Sequence, residues 1–247
     1  PLNDSFNAAD RDVYYEIFSY VIQLIRELPE AVHIDKTLEA FGLFTQQDLL
    51  DRVRVLILPD KVGPAHRDNV KKVFVLSRIT IGADVAVTSI IIERSKKLFP
   101  NARICFLANS KNYELFGGEE NIKIIPMDYQ RRGGLTSRLE SWLNALESIN
   151  SETKDMEPGE YAIIDSNSRV TQLGLLPLVK KDTGYYLFEP LAHADEEMRK
   201  LGEDVNEWLN KVFEGTIENF TYPALSVPAR YNEAAKGFYQ KLFNNKE

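Results

Sequence analysis

The apolar positions of the chain change their period near residue 65. Before it, Val13, Ile17, Val21, Leu24 and Leu28 recur at helical spacing and Pro29 closes the segment. A second helical pattern comes after Thr45, which is placed to cap it with Asp48 at the third position, and Leu49, Leu50, Val53 and Leu56 form its apolar side. Pro59, Gly63 and Pro64 then interrupt any regular element. Residues 1–64 are therefore expected to form a helical extension packed on the main domain.

Beyond that point, short continuous apolar runs alternate with amphipathic stretches. Val73-Phe74-Val75-Leu76, Ile104 to Ala108, Ile122 to Ile125, Tyr161 to Asp165 and Tyr185 to Phe188 have the character of strands buried on both faces. Between them the pattern predicts a helix from Asp84 to Phe99, ended by Pro100, and another along Leu135, Leu139, Trp142, Leu143, Leu146 and Ile149. A short helix is expected through Leu173 and Leu176, and a long one carried by Met198, Leu201, Val205, Trp208 and Val212. Strands alternating with helices imply parallel pairing through right-handed crossovers. The predicted class is α/β: a Rossmann-like, doubly wound, mainly parallel sheet over residues 65–228, with the N-terminal helical extension before it. Residues 229–247 form a C-terminal helix or interdomain linker. Ligands of such sheets gather beyond the carboxyl ends of the strands. That points to residues 77–84, 109–111, 128–134 and 165–169.

Composition narrows the choice. Thirty Lys and Arg against thirty-seven Asp and Glu give a formal charge of -7, so no basic excess exists to displace counterions, and nucleic acid is not an expected partner. No apolar run approaches the ~20 residues that cross a bilayer, and the first residues lack the pattern of a signal peptide. Cys105 is the only cysteine, which rules out an intrachain disulfide and points to a reducing compartment, the cytoplasm. Its place inside an apolar run predicts a buried, inert thiol. His33, His66 and His193 are scattered without cysteine partners, so neither a metal site nor a cofactor is expected.

The chemistry-bearing segment is Ser77-Arg78-Ile79-Thr80-Ile81-Gly82-Ala83-Asp84-Val85, a strand-to-helix turn tightened at Gly82. Asp84 falls in the first helical turn, where exposed N–H groups and the helix dipole favour a carboxylate. It can serve there as a cap, or as an ionised group able to accept a proton. The glycine pattern is not G-x-G-x-x-G, so the dinucleotide-binding fingerprint is absent. Arg78, Arg131 and Arg132 beside Gly133-Gly134, and Arg169 all fall in ligand-side loops. Arginine forks suit phosphate and carboxylate groups, although solvated surface charge gives the same pattern. Asp165 is placed to orient Arg169, to touch a ligand, or simply to make a strand-end turn.

The run from Val73 to Pro100, with its strand, Ser-x-x-x-x-Gly-x-Asp-Val turn and helix, then Asn101-Ala102, resembles the opening of bacterial lipopolysaccharide heptosyltransferases. These belong to glycosyltransferase family nine, with the two-domain GT-B fold. Leu107-Ala108-Asn109 and Ile163-Ile164-Asp165 are similar to later elements of the same N-terminal domain, and the resemblance spans roughly Lys71 to Leu225. The family usually has Asp-Val directly after the glycine, whereas Ala83 intervenes here. The resemblance implies inverting, metal-independent transfer of a sugar from a nucleotide-sugar donor to a cell-envelope glycan or lipopolysaccharide-type acceptor at a membrane surface. It implies Asp84 as the base, and for an anionic acceptor of this kind the candidates in the ligand-side loops are Arg78, Arg131, Asp165 and Arg169. Tyr222 to Pro228 resembles the segment leading into the second, donor-binding domain, which these residues do not supply. The chain is then expected to be the acceptor-binding half, inactive by itself. A non-catalytic carbohydrate- or nucleotide-binding module of the same fold is the alternative.

Overall fold

The computed structural model describes residues 8–57, 67–130, 132–180, 184–189, 201–213 and 222–244. Among these residues five strands form one sheet: β1 (Lys72–Leu76), β2 (Arg103–Ala108), β3 (Ile122–Pro126), β4 (Tyr161–Asp165) and β5 (Tyr185–Leu187). Their order is β3-β2-β1-β4-β5 and every pairing is parallel. The chain winds outward from β1 to β3, returns to pair β4 with the other edge of β1, and continues to β5. This is the doubly wound, Rossmann-like arrangement that the alternating pattern predicts.

Residue alternation along β1 divides the core in two. Val73 and Val75, with Ile104, Phe106, Ala162 and Ile164, face a layer built by α5 (Ser89–Leu98), α6 (Tyr113–Phe116) and α8 (Leu201–Val212). Phe74 and Leu76, with Cys105, Leu107 and Ile163, face the opposite way. That second face is covered by α7 (Leu135–Thr153) together with α1 (Ala8–Arg26), α2 (Val32–Ala40) and α3 (Gln46–Leu56). The N-terminal helices are thus part of one of the two layers that bury the sheet. Thr45 and Asp48 form the predicted capping box of α3. Arg52 of α3 lies over the ring of Tyr185 and donates to the carbonyl of Gly174, tying that helix to the β5 edge.

One apolar stripe faces outward and one expected helix does not form, each for a physical reason. The apolar stripe of α1 is on its outer side: Val13, Ile17, Leu24 and Leu28 are exposed, whereas Tyr15, Ser19, Ile22 and Ile25 are buried. Both sets recur at helical spacing, so periodicity identifies the helix without choosing its inner face. The short helix expected through Leu173 and Leu176 is instead an irregular buried turn. Asn167, Gln172 and Leu173 have φ of 67°, 50° and 58°, which no right-handed helix accepts. A polar network imposes this conformation, with Ser166 Oγ donating to the Leu76 carbonyl and Ser168 Oγ to that of Ser77. Pro59, Gly63, Pro64, His66, Arg131, His193 and Met198 lie outside the described residues.

Candidate functional site

Leaving β1, the chain passes through Ser77 and a left-handed Ile79 (φ 76°) before entering α4 (Ile81–Ala83), a five-residue π turn (Asp84–Thr88) and α5. Thr80 caps this composite helix, accepting from Ala83 N at 3.3 Å. Asp84 therefore does not cap the first turn. Its carboxylate is completely buried and bonds backward and sideways. Oδ2 accepts from Ser77 Oγ at 2.6 Å and Asn112 Nδ2 at 2.9 Å, while Oδ1 accepts from Arg78 N at 2.8 Å and Thr88 Oγ1 at 2.9 Å. Four donors from three segments converge on one side chain, which joins the ends of β1 and β2 to the helix start.

This arrangement orients a neighbour. Because Asp84 accepts, Asn112 must turn its NH₂ toward it, leaving Oδ1 as an acceptor. Asn112 is 1% exposed, and its Oδ1 is buried without a hydrogen-bond partner. Asn112 also lines an open crevice of about 380 Å³ at the carboxyl ends of β1, β2 and β3. Ser77, Ile79, Thr80 and Ile81 form one wall, Asn109, Lys111 and Asn112 the second, and Met127 and Tyr129 the third. Asn109 shapes the rim: its Oδ1 accepts from Lys111 N at 3.0 Å and its Nδ2 donates to Asp128 at 3.2 Å. The crevice thus presents an exposed ammonium, hydroxyls, and apolar and aromatic surface, with the unpartnered amide oxygen of Asn112 buried at its wall.

Arg78, Asp165 and Arg169 are not among the residues that line the crevice. Arg78 reaches Asp84 through its backbone, and its side chain is half-buried. Asp165 is fully buried at the end of β4, where desolvation raises its carboxyl above the usual range against bonds from Thr171, Tyr185 and Ser168. It organises the 166–176 turn. Arg169 is exposed on that turn. It lies near Tyr14 of α1, whose hydroxyl is pushed up by burial and also feels Tyr129, Arg169 and Arg138. The N-terminal helix thereby approaches the ligand end of the sheet. Tyr14 donates to Gln172 Oε1 at 3.1 Å, and Tyr15 donates to the Leu173 carbonyl at the same distance.

Among the described residues, no three His, Cys, Asp or Glu side chains gather as a metal-ligand set. Cys105 is buried within β2, and burial pushes its thiol up to about 11. No helix among the described residues is long and apolar enough to cross a membrane. Sequence patterns singled out Asp84 and the 109–111 loop but not Asn112, one residue beyond it. The only available signal was its place beside a ligand-side loop. A Rossmann-like α/β domain with a polar crevice over β1–β3 is the class that fold and site define. Comparison with models of protein families, with curated proteins and with solved structures finds no match.

Proposed function

We propose that this domain is the acceptor-binding half of a GT-B glycosyltransferase. It holds a hydroxyl-rich, anionic glycan of the lipopolysaccharide-core type, to which a sugar is transferred with inversion and without a metal. The observation that carries this reading is Asn112, which lines a crevice at the carboxyl ends of the strands and whose buried Oδ1 has no hydrogen-bond partner. A sugar hydroxyl is a donor that can fill it. Lys111 suits an anionic substituent, and Ile79, Met127 and Tyr129 suit the apolar face of a pyranose ring. Arg78, Arg131 and Arg169 are the further acceptor contacts of this reading. In this reading the nucleotide-sugar donor sits on a second domain, the acceptor is presented at a membrane surface, and the reaction occurs in the cytoplasm.

Asp84 cannot meet an acceptor directly without giving up a bond, so its part is played through Ser77. Ser77 lines the crevice and donates to Asp84 at 2.6 Å. As the acceptor oxygen attacks the anomeric carbon, its proton passes to Ser77 Oγ and the serine proton passes to Asp84 Oδ2. The glycosidic bond forms, the bond to the nucleotide diphosphate breaks, and Asp84 ends as the neutral acid.

Calorimetric titration of the chain with a phosphorylated core oligosaccharide tests the binding. Saturable uptake is expected, weakened about tenfold in Asn112→Ala by loss of one hydrogen bond. Absence of binding refutes the acceptor reading. Low-micromolar affinity for a nucleotide sugar alone would instead favour a nucleotide-binding module.

A further inference from the structure

Among the described residues, two helices present apolar stripes to solvent. On α1, Val13, Ile17, Tyr20, Leu24 and Leu28 are 46%, 47%, 54%, 45% and 39% exposed and lie on one line along the helix and its end. On α9 (Ala229–Asn244), Tyr231, Ala235, Phe238 and Leu242 form a second line, with Phe238 66% and Leu242 51% exposed. α9 starts beside α6, where Gly118 N donates to the Ser226 carbonyl at 2.7 Å and Arg230 lies over the Tyr113 ring at 5.4 Å. α6 packs on the face of the sheet opposite to α1, through Phe116 against Phe106. Within one chain the two stripes therefore do not meet.

We propose that the α9 stripe of one copy docks antiparallel on the α1 stripe of a second copy, and that the exchange is reciprocal in a twofold dimer. Charge and register carry this inference. Exposed Glu16 and Glu27 flank the α1 stripe on one side, and exposed Arg230 and Lys241 flank the α9 stripe on the corresponding side. Flanks of the same hand face each other when helices pack antiparallel. Glu16 and Glu27 are eleven residues apart, as are Arg230 and Lys241. Setting Glu16 against Lys241 and Glu27 against Arg230 fixes the register. Leu242 then falls between Val13 and Ile17, Phe238 between Ile17 and Tyr20, Ala235 between Tyr20 and Leu24, and Tyr231 between Leu24 and Leu28. Apolar interdigitation and both ion pairs thus arise from a single alignment. Arg54, 3.7 Å from Glu16, borders the contact. A twofold axis forms this helix pair twice, which enlarges the interface toward the ~800 Å² per partner of stable complexes.

Light scattering after gel filtration of the full chain, over a roughly hundredfold range of concentration, reads the association directly. A particle of twice 28.2 kDa is expected. Phe238→Glu should leave it monomeric. The double variants Glu16→Lys/Glu27→Lys and Arg230→Glu/Lys241→Glu should each weaken self-association at least about tenfold, because like charges then oppose each other in both helix pairs. Mixing the two double variants should restore the dimer, since each reversed flank then meets its complement. A monomer at every concentration, or a dimer indifferent to these reversals, overturns the proposal. So does a monomer whose melting shifts when the stripes are changed, which would mean that α9 folds onto its own α1.

Discussion

Asp84 is held by four donors and touches no solvent, and this makes its replacement instructive. An asparagine there offers one accepting oxygen where two are used, and its amide faces groups that themselves donate. Asp84→Asn is therefore expected to lower stability by about 2–4 kcal/mol, as for other buried polar networks left half-satisfied. Removing the true cap, by Thr80→Ala, should cost only ~1 kcal/mol. Denaturant unfolding of both variants checks the order, and equal losses would contradict the central place given to Asp84. Glu189 supplies a second test at this scale. It lies against Arg11 at 3.5 Å and Tyr15 at 3.2 Å, and burial pushes its carboxyl from 4.5 up to about 7. Below about pH 4.5 it is protonated in both the folded and the unfolded chain. Between there and about pH 7 the unfolded chain ionises while the folded one keeps its proton, so stability falls as pH rises. The loss amounts to at most ~3 kcal/mol and then levels off. Glu189→Gln should flatten this slope relative to the parent protein when unfolding free energies are compared from acid to neutral pH.

At the scale of elements, the most constrained segment is the buried turn after β4. Gly174 sits at φ 91°, and a Cβ there would lie 2.6 Å from Leu187 Cδ2 on β5. Gly174→Ala combines a left-handed backbone with an overpacked contact and should cost about 2–3 kcal/mol. The same turn receives Tyr14, Tyr15 and Arg52 from α1 and α3. Its distortion should therefore also loosen the N-terminal helices, read as faster amide exchange in α1. If exchange in α1 does not change, that coupling is absent. The composite helix after β1 behaves differently. Its π turn begins at Asp84, where the carboxylate bonds to the preceding loop as well as to Thr88 one turn on. An extra residue in that turn is a common device at functional sites.

For the whole molecule, the two core clusters decide which parts can be spared. α1, α2 and α3 share a cluster with Phe74, Leu76, Leu107, Ile163 and Leu187, so one face of the sheet depends on them. Removing residues 1–57 should expose that face and abolish cooperative folding. Calorimetry on the truncated chain is expected to show no unfolding transition, while the full chain shows one. A truncated chain that melts sharply would make the N-terminal helices a separate domain.

What the sequence determined by itself was the alternation of elements. Strands buried on both faces have no polar side, so β1 to β5 stand out as continuous apolar runs, and the crossovers between them leave only parallel pairing. The capping box at Thr45 and Asp48 was equally legible, because its bonds are local. Tertiary structure decided the rest, because the remaining choices depend on groups far apart in the chain. α1 carries apolar residues on two sides, and only packing against the sheet selected Tyr15, Ile22 and Ile25 over Val13, Ile17 and Leu24. The helical spacing of Leu173 and Leu176 yielded to Asp165, Thr171 and Tyr185, whose bonds span β4 and β5. Asp84 stands next to a helix start in sequence, but one of its four donors is Asn112, twenty-eight residues away. Periodicity reports which positions avoid water. Which carboxylate is filled, and which buried amide oxygen beside a crevice is left without a partner, is fixed only when distant segments meet.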